Sequence, residues 1–235
     1  MRLALIACGV VARELAWVLA ATPRPVDVRL VRQGLHEQPQ RLRAAVQTEI
    51  DALDAAAMHD AIVLAYGLCG GGTAGLRSAR HRLVLPRAHD CTTLVLGCHR
   101  RYREAFDAEP GRYWCTPGAA DHGALPSDER LAERERTLAA RHGADAASHV
   151  LDLEREALAR YRRCAFVAWP GLEHGAQRDA ARRAATDRGW AWEELVGDPA
   201  LLADLVAGRW DERFLVLEPG MAVAMAYDER VVVAG

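Results

Sequence analysis

Apolar residues in this chain fall into short runs, separated by segments in which they recur every three or four positions. The runs Leu3-Ala4-Leu5-Ile6-Ala7, Val26 to Val31, Ala61-Ile62-Val63-Leu64-Ala65 and Arg82-Leu83-Val84-Leu85-Pro86 predict strands covered on both faces. Between them, Pro39 to Leu53 sets Leu42, Ala45, Val46, Ile50 and Leu53 at helical spacing, opposite Arg41, Arg43, Gln47 and Asp51. Strands of this kind alternating with amphipathic helices predict an α/β fold, a Rossmann-like layered sandwich with a mostly parallel sheet.

From Pro126 to Tyr161 the sequence turns to Glu, Arg, Ala and Leu, with Gly143 and Ser148 as breaks between two helices. Beyond it the alternation resumes. Cys164 to Trp169 is a strand, Gly171 to Arg188 a helix and Trp190 to Val196 a strand. Asp198-Pro199 then opens a helix that Gly208 closes, and Phe214 to Glu218 is a further strand. The expected division is an α/β half over 1–125, a helical connector over 126–162 and a second α/β half over 163–235.

Composition narrows the chemistry. The chain has no Lys and no Asn, Arg supplies all 30 basic residues, and the only serines are Ser78, Ser127 and Ser148. Schiff-base enzymes and P-loop nucleotide hydrolases are thereby excluded, and no G-x-S-x-G elbow is present. A formal net charge of -2 argues against nucleic acid and anionic membranes as partners. The only apolar stretch ahead of Cys8 is Leu3 to Ala7, too short for a secretory signal, and no run of 18 apolar residues occurs. The expected compartment is the reducing cytoplasm, where six cysteines serve as ligands, nucleophiles or buried thiols rather than disulfides.

Three of those cysteines stand in turns that directly follow strands, each expected to lead into a helix: Ala7-Cys8-Gly9, Gly67-Leu68-Cys69-Gly70-Gly71-Gly72-Thr73 and Arg87-Ala88-His89-Asp90-Cys91. In open α/β sheets, residues at the carboxyl ends of strands meet along one edge, and helix N-termini there favour thiolate. Cys8, Cys69 and Cys91 are therefore the candidate metal ligands, against the alternative of three small buried hydrophobes. Zinc would accept them with His89, Cys115, water or substrate as a fourth ligand. A [4Fe-4S] cluster would use the three thiolates and leave one iron open; single ligands from distant loops lean towards the cluster, since structural zinc draws on closely spaced cysteine pairs.

His89 and Asp90 are candidate catalytic groups, the imidazole as acid or base and the carboxylate orienting it or a loop amide. Gly70, Gly71, Gly72 and Thr73 could hold an anionic cofactor through backbone amides, or simply serve the turn. His36 follows the second strand and reads as a surface histidine, Cys98 as a helical residue and Cys164 as a core residue.

The segments Ala7-Cys8-Gly9-Val10, Tyr66-Gly67-Leu68-Cys69-Gly70, Pro86-Arg87-Ala88-His89-Asp90-Cys91, Tyr113-Trp114 and Thr116-Pro117-Gly118 together resemble a prokaryotic family known as domain of unknown function 1638. The chain departs from that family's pattern at Gly71, where Asn is usual, and at Ala119, where Trp often follows Thr-Pro-Gly. The resemblance implies an association with corrinoid-dependent methyl transfer and one-carbon metabolism. On this basis the chain is expected to be a metalloprotein acting on a small-molecule substrate by methyl or sulfur transfer. The alternatives are a non-catalytic metal-binding accessory of a corrinoid protein or methyltransferase, and a plain ligand-binding α/β domain.

Overall fold

The computed structural model describes residues 1–235. In chain order the elements are β1 (Leu3–Cys8), α1 (Ala12–Ala20), β2 (Val26–Val31), α2 (Pro39–Ala56), β3 (Ala61–Ala65), β4 (Arg82–Pro86), α3 (Cys91–Leu96) and α4 (His99–Ala108). There follow β5 (Arg112–Cys115), α5 (Pro117–Asp121), α6 (Asp128–His142), α7 (Ala144–Leu158), β6 (Arg163–Ala168), α8 (Gly175–Asp187) and β7 (Ala191–Val196). The chain ends with α9 (Ala200–Ala207), β8 (Phe214–Leu217), β9 (Val223–Met225) and β10 (Val232–Ala234).

Two compact units result. The first comprises Met1–Glu104, Trp169–Leu172 and Val196–Gly235, and the second Ala105–Ala168 and Glu173–Leu195. These limits differ from the 1–125, 126–162 and 163–235 division expected from composition. The reason is that β8, far along the chain, returns to pair antiparallel with β4 in the first sheet, Leu83 opposite Leu217 and Pro86 opposite Phe214. Composition carries no mark of such a return.

The first unit is built on a five-stranded sheet in the order β2-β1-β3-β4-β8, parallel except for β8. Residues of β1, β3 and β4 are buried on both faces, as their unbroken apolar runs require. One face packs on α2, whose Leu42, Val46, Ile50 and Leu53 form the expected stripe against Ile6, Ile62, Leu64 and Leu85. A proline at its first turn starts α2 where the missing N–H costs nothing. β2 departs from expectation. It is the sheet edge, with Val28 40% and Leu30 56% exposed, because nothing pairs with its outer side.

The second unit holds a three-stranded sheet, β5-β6-β7, in which β5 and β6 run parallel. Phe166, Ala181, Ala185 and Trp190 form its core with Cys115 and Cys164, and the rings of Tyr113 and Trp190 meet at 5.1 Å. Arg112, nearly buried, bonds Glu193 at 2.9 Å, and Arg163 bonds Glu109 at 2.7 Å, tying the three strands by charge. Gly143 does separate α6 from α7, but Ser148 lies inside α7, and Ser127 is the serine that caps a helix, accepting from the Arg130 N–H. No helix is long and apolar enough to cross a membrane.

Candidate functional site

In the first sheet the strand order reverses between β1 and β3, one of the crevices where open α/β sheets bind ligands beyond the carboxyl ends of their strands. Cys8 is the last residue of β1, Cys69 follows β3 and Cys91 follows β4. All three are free thiols; Cys8 and Cys69 are buried and Cys91 is partly buried.

Adjacent loops are fastened together there. The Leu68 N–H donates to the Ala88 carbonyl and the Cys69 N–H to the His89 carbonyl, both at 2.8 Å. Close approach needs Gly67, since a Cβ at this position would stand 2.6 Å from the Asp90 nitrogen and 2.8 Å from the Ala88 oxygen. The next turn contains left-handed backbone at Cys69 (φ 48), Gly70 (φ 64) and Gly71 (φ 87). Glycine accepts this region freely and Asn more readily than most residues, which explains how Gly71 can replace the Asn expected there.

The Cys91 thiol is shared. Its proton feels the sulfurs of both Cys69 and Cys8, which puts Cys91 between the other two. The bond from Cys91 lowers the Cys8 pKa from its ordinary value near 9 to about 7, against the opposing effect of burial and with help from the Val10 N–H. Cys91, bonded to Cys69 and Cys8 and itself buried, is held protonated well above its ordinary range. No group of three or more His, Cys, Asp or Glu side chains is arranged to hold a metal ion.

These shifts have opposite consequences for stability. The depressed Cys8 pKa contributes stability that is complete above the unfolded value near 9 and lost as pH falls through about 7. The raised Cys91 pKa contributes stability present below 9 and lost above it. The metal-free protein is therefore expected to be most stable between about pH 8 and 9, and less stable near pH 6 by up to about 2 kcal/mol from Cys8. Urea midpoints measured across that range test this, and a stability that falls steadily from pH 6 to 9 would contradict it.

Tyr66, which directly follows β3, lies beside this cluster. Its ring is buried and its hydroxyl has no partner. Burial, followed by the negative charge of Cys8, Cys91 and Cys69, pushes its pKa far up, so it remains a donor. Its signal in the sequence was a polar group directly after an all-apolar strand, one residue before Gly67.

Asp90 is occupied structurally. One carboxylate oxygen caps α3, accepting from the Thr93 N–H at 2.9 Å and the Thr93 hydroxyl at 3.1 Å, and the other accepts from the Tyr102 hydroxyl at 3.1 Å. A cap here positions the first residue of α3, which is Cys91. The His89 ring stands 5.0 Å from that of His99 and 6.3 Å from Tyr102. Neither ring nitrogen of His99 has a partner, and burial lowers its pKa, with the His89 and Arg103 charges adding to the effect.

The glycine run does not present free amides in a row. The N–H groups of Gly71, Gly72 and Thr73 bond back to Leu68 and Cys69 carbonyls, and the Thr73 hydroxyl donates to the Gly67 carbonyl at 3.1 Å. The Cys69 turn leads into no α-helix, unlike the Cys8 and Cys91 turns, because its residues are used in tight reversals. The β9–β10 hairpin covers it: Val223 exchanges backbone bonds with Gly75 and Leu76, and the Met225 sulfur stands 3.4 Å from where a Cβ on Gly71 would lie. His36 lies in the short turn after β2, with its carbonyl near Gly70.

The other cysteines separate cleanly. Cys115 and Cys164 belong to the second unit, where both lie in the core, the Cys115 thiol donating to the Thr116 carbonyl at 3.7 Å. Cys98 is not helical; it sits in the link between α3 and α4, after Gly97 ends α3 with left-handed backbone.

Fold and site define a mostly parallel α/β protein with a cluster of three thiols at the carboxyl edge of its larger sheet. The chain belongs to the family described as Protein of unknown function (DUF1638), which matches residues 30–206. That match includes Cys69 and Cys91 and begins beyond Cys8. No curated protein and no solved structure matches the chain.

Proposed function

We propose that Cys8, Cys69 and Cys91 together bind a metal, and that the protein acts on a small molecule at the coordination position these thiolates leave open. What carries this is the placement of Cys8, Cys69 and Cys91 at three neighbouring strand ends, with the Cys91 proton influenced by both other sulfurs. Three neighbouring thiols cannot all ionise without a cation, and a bound metal would offset the influence of Cys69 and Cys8 and the burial that keep Cys91 protonated. The surrounding residues fit such a group. Tyr66 offers a buried hydroxyl without a partner, a donor suited to a sulfur acceptor.

Thiolates supplied singly by separate loops favour the [4Fe-4S] cluster over structural zinc, with open-site zinc as the second choice. When bound, either metal would supply a Lewis acid. The chain's own groups would position and move protons: His89 as the acid or base, His99 and Tyr102 packed against it, and Asp90 holding Tyr102 and the start of α3. The association with corrinoid systems that the resemblance implies makes methyl or sulfur transfer the reaction class to test first.

Purification without oxygen, followed by metal and sulfide analysis and a visible spectrum, tests the reading. Iron with sulfide and broad visible absorbance is the expected result. Zinc alone would move the assignment to an open zinc site. Failure to retain either metal, even after reconstitution with iron and sulfide or with zinc, would overturn it.

A further inference from the structure

The edge strand β2 carries a pattern that fits itself. Its residues Val26-Asp27-Val28-Arg29-Leu30-Val31 pair on one side with β1, Leu3 beside Val26 and Cys8 beside Val31. The other side has no neighbour in the sheet. Exposed sheet edges present unpaired backbone donors and acceptors, and proteins usually protect them with charge, proline or a covering element. Here the edge exposes Val28 and Leu30 alongside Asp27 and Arg29.

Turned antiparallel on a second copy with Val28 at the two-fold axis, the strand becomes complementary. Val28 faces Val28 of the copy, Val26 faces Leu30, and Asp27 faces Arg29 in both directions. Period-two alternation keeps Val26, Val28 and Leu30 on one face and Asp27 and Arg29 on the other in both chains. Shifting the register by two residues would place Arg29 opposite Arg29 or Asp27 opposite Asp27, so charge selects one pairing. Asp27 is already set in place by the Arg2 guanidinium at 2.8 Å and the His59 ring at 2.6 Å, while remaining 42% exposed.

We infer that β2 is a homodimer interface, joining two copies edge to edge so that the five-stranded sheet continues across the axis. The inference is independent of the thiol cluster. A six-residue strand makes a small interface, so the dimer is expected to form reversibly with concentration.

Sedimentation velocity over a concentration series, with circular dichroism to verify folding, provides the test. The unaltered chain should dimerise. Arg29→Asp should weaken dimerisation about tenfold or more, since both cross-strand charge pairs change from attractive to repulsive. Val28→Lys, which places like charges on the axis, should act similarly. Asp27→Arg should also be monomeric alone, yet mixing it with Arg29→Asp should restore a dimer of one copy of each, because every facing pair is again opposite. If Asp27→Arg fails to fold, Val28→Lys and Arg29→Asp still decide the matter. A monomeric unaltered chain, or a dimer indifferent to Arg29→Asp and Val28→Lys, would overturn the proposal.

Discussion

Cys91→Ser is expected to weaken metal binding by at least about 100-fold, whereas Cys164→Ala should leave it unchanged. Cys91 is the sulfur that meets both of the others, so its loss breaks the cluster at its middle. Cys164 serves as the contrast because its thiol lies in the core of the other unit, in the same cluster as Cys115. Metal stoichiometry in oxygen-free preparations of both variants gives the comparison. Equal loss in the two would mean that the ligand set is wrongly drawn, and equal retention would mean that Cys91 is not a ligand.

The largest effect on stability is expected from Gly67→Ala, which should cost about 3 kcal/mol in the metal-free protein. The added methyl group would meet the Asp90 nitrogen, the Ala88 oxygen and the His89 carbonyl carbon, the last at 2.8 Å. All are backbone atoms, so no rotamer change can make room. Relief requires the loops carrying Cys69 and Cys91 to part, breaking the Leu68 and Cys69 bonds to Ala88 and His89. Gly175→Ala is the control. A Cβ there meets nothing within 4 Å at the first residue of α8, and its cost should stay below about 0.5 kcal/mol. Chemical denaturation of both variants measures the difference, and near-equal midpoints would refute the steric argument.

The parts of this fold most legible in the sequence were those whose burial is complete. β1, β3 and β4 are covered on both faces, and an unbroken apolar run is what that environment demands. Their carboxyl ends followed at once, which is why the three cysteines could be placed on one edge without knowing the strand order. β2 showed the limit. Its Asp27 and Arg29 already interrupted the apolar run, and their alternation reports a strand open to solvent rather than an interior one.

Pairings made across long stretches of chain left no local trace. Nothing in Phe214 to Leu217 specifies β4 as its neighbour, and nothing in Val223 or Met225 points to the Cys69 turn. Asp90 shows a different ambiguity: a carboxylate before a helix is both a favoured cap and a plausible catalytic group, and only its bonds to Thr93 and Tyr102 reveal what it holds. The glycine run was similarly two-sided, until the inward bonds of its amides showed them engaged in the turn.

The hairpin of β9 and β10 sets a timetable for biosynthesis. Cys8, Cys69 and Cys91 emerge early from the ribosome, but the strands that close over the Cys69 turn, and whose Val232 carbonyl receives the Arg87 guanidinium, are translated more than a hundred residues later. The Cys69 turn therefore stays uncovered throughout elongation, and its enclosure must wait until the chain has been made past Ala234.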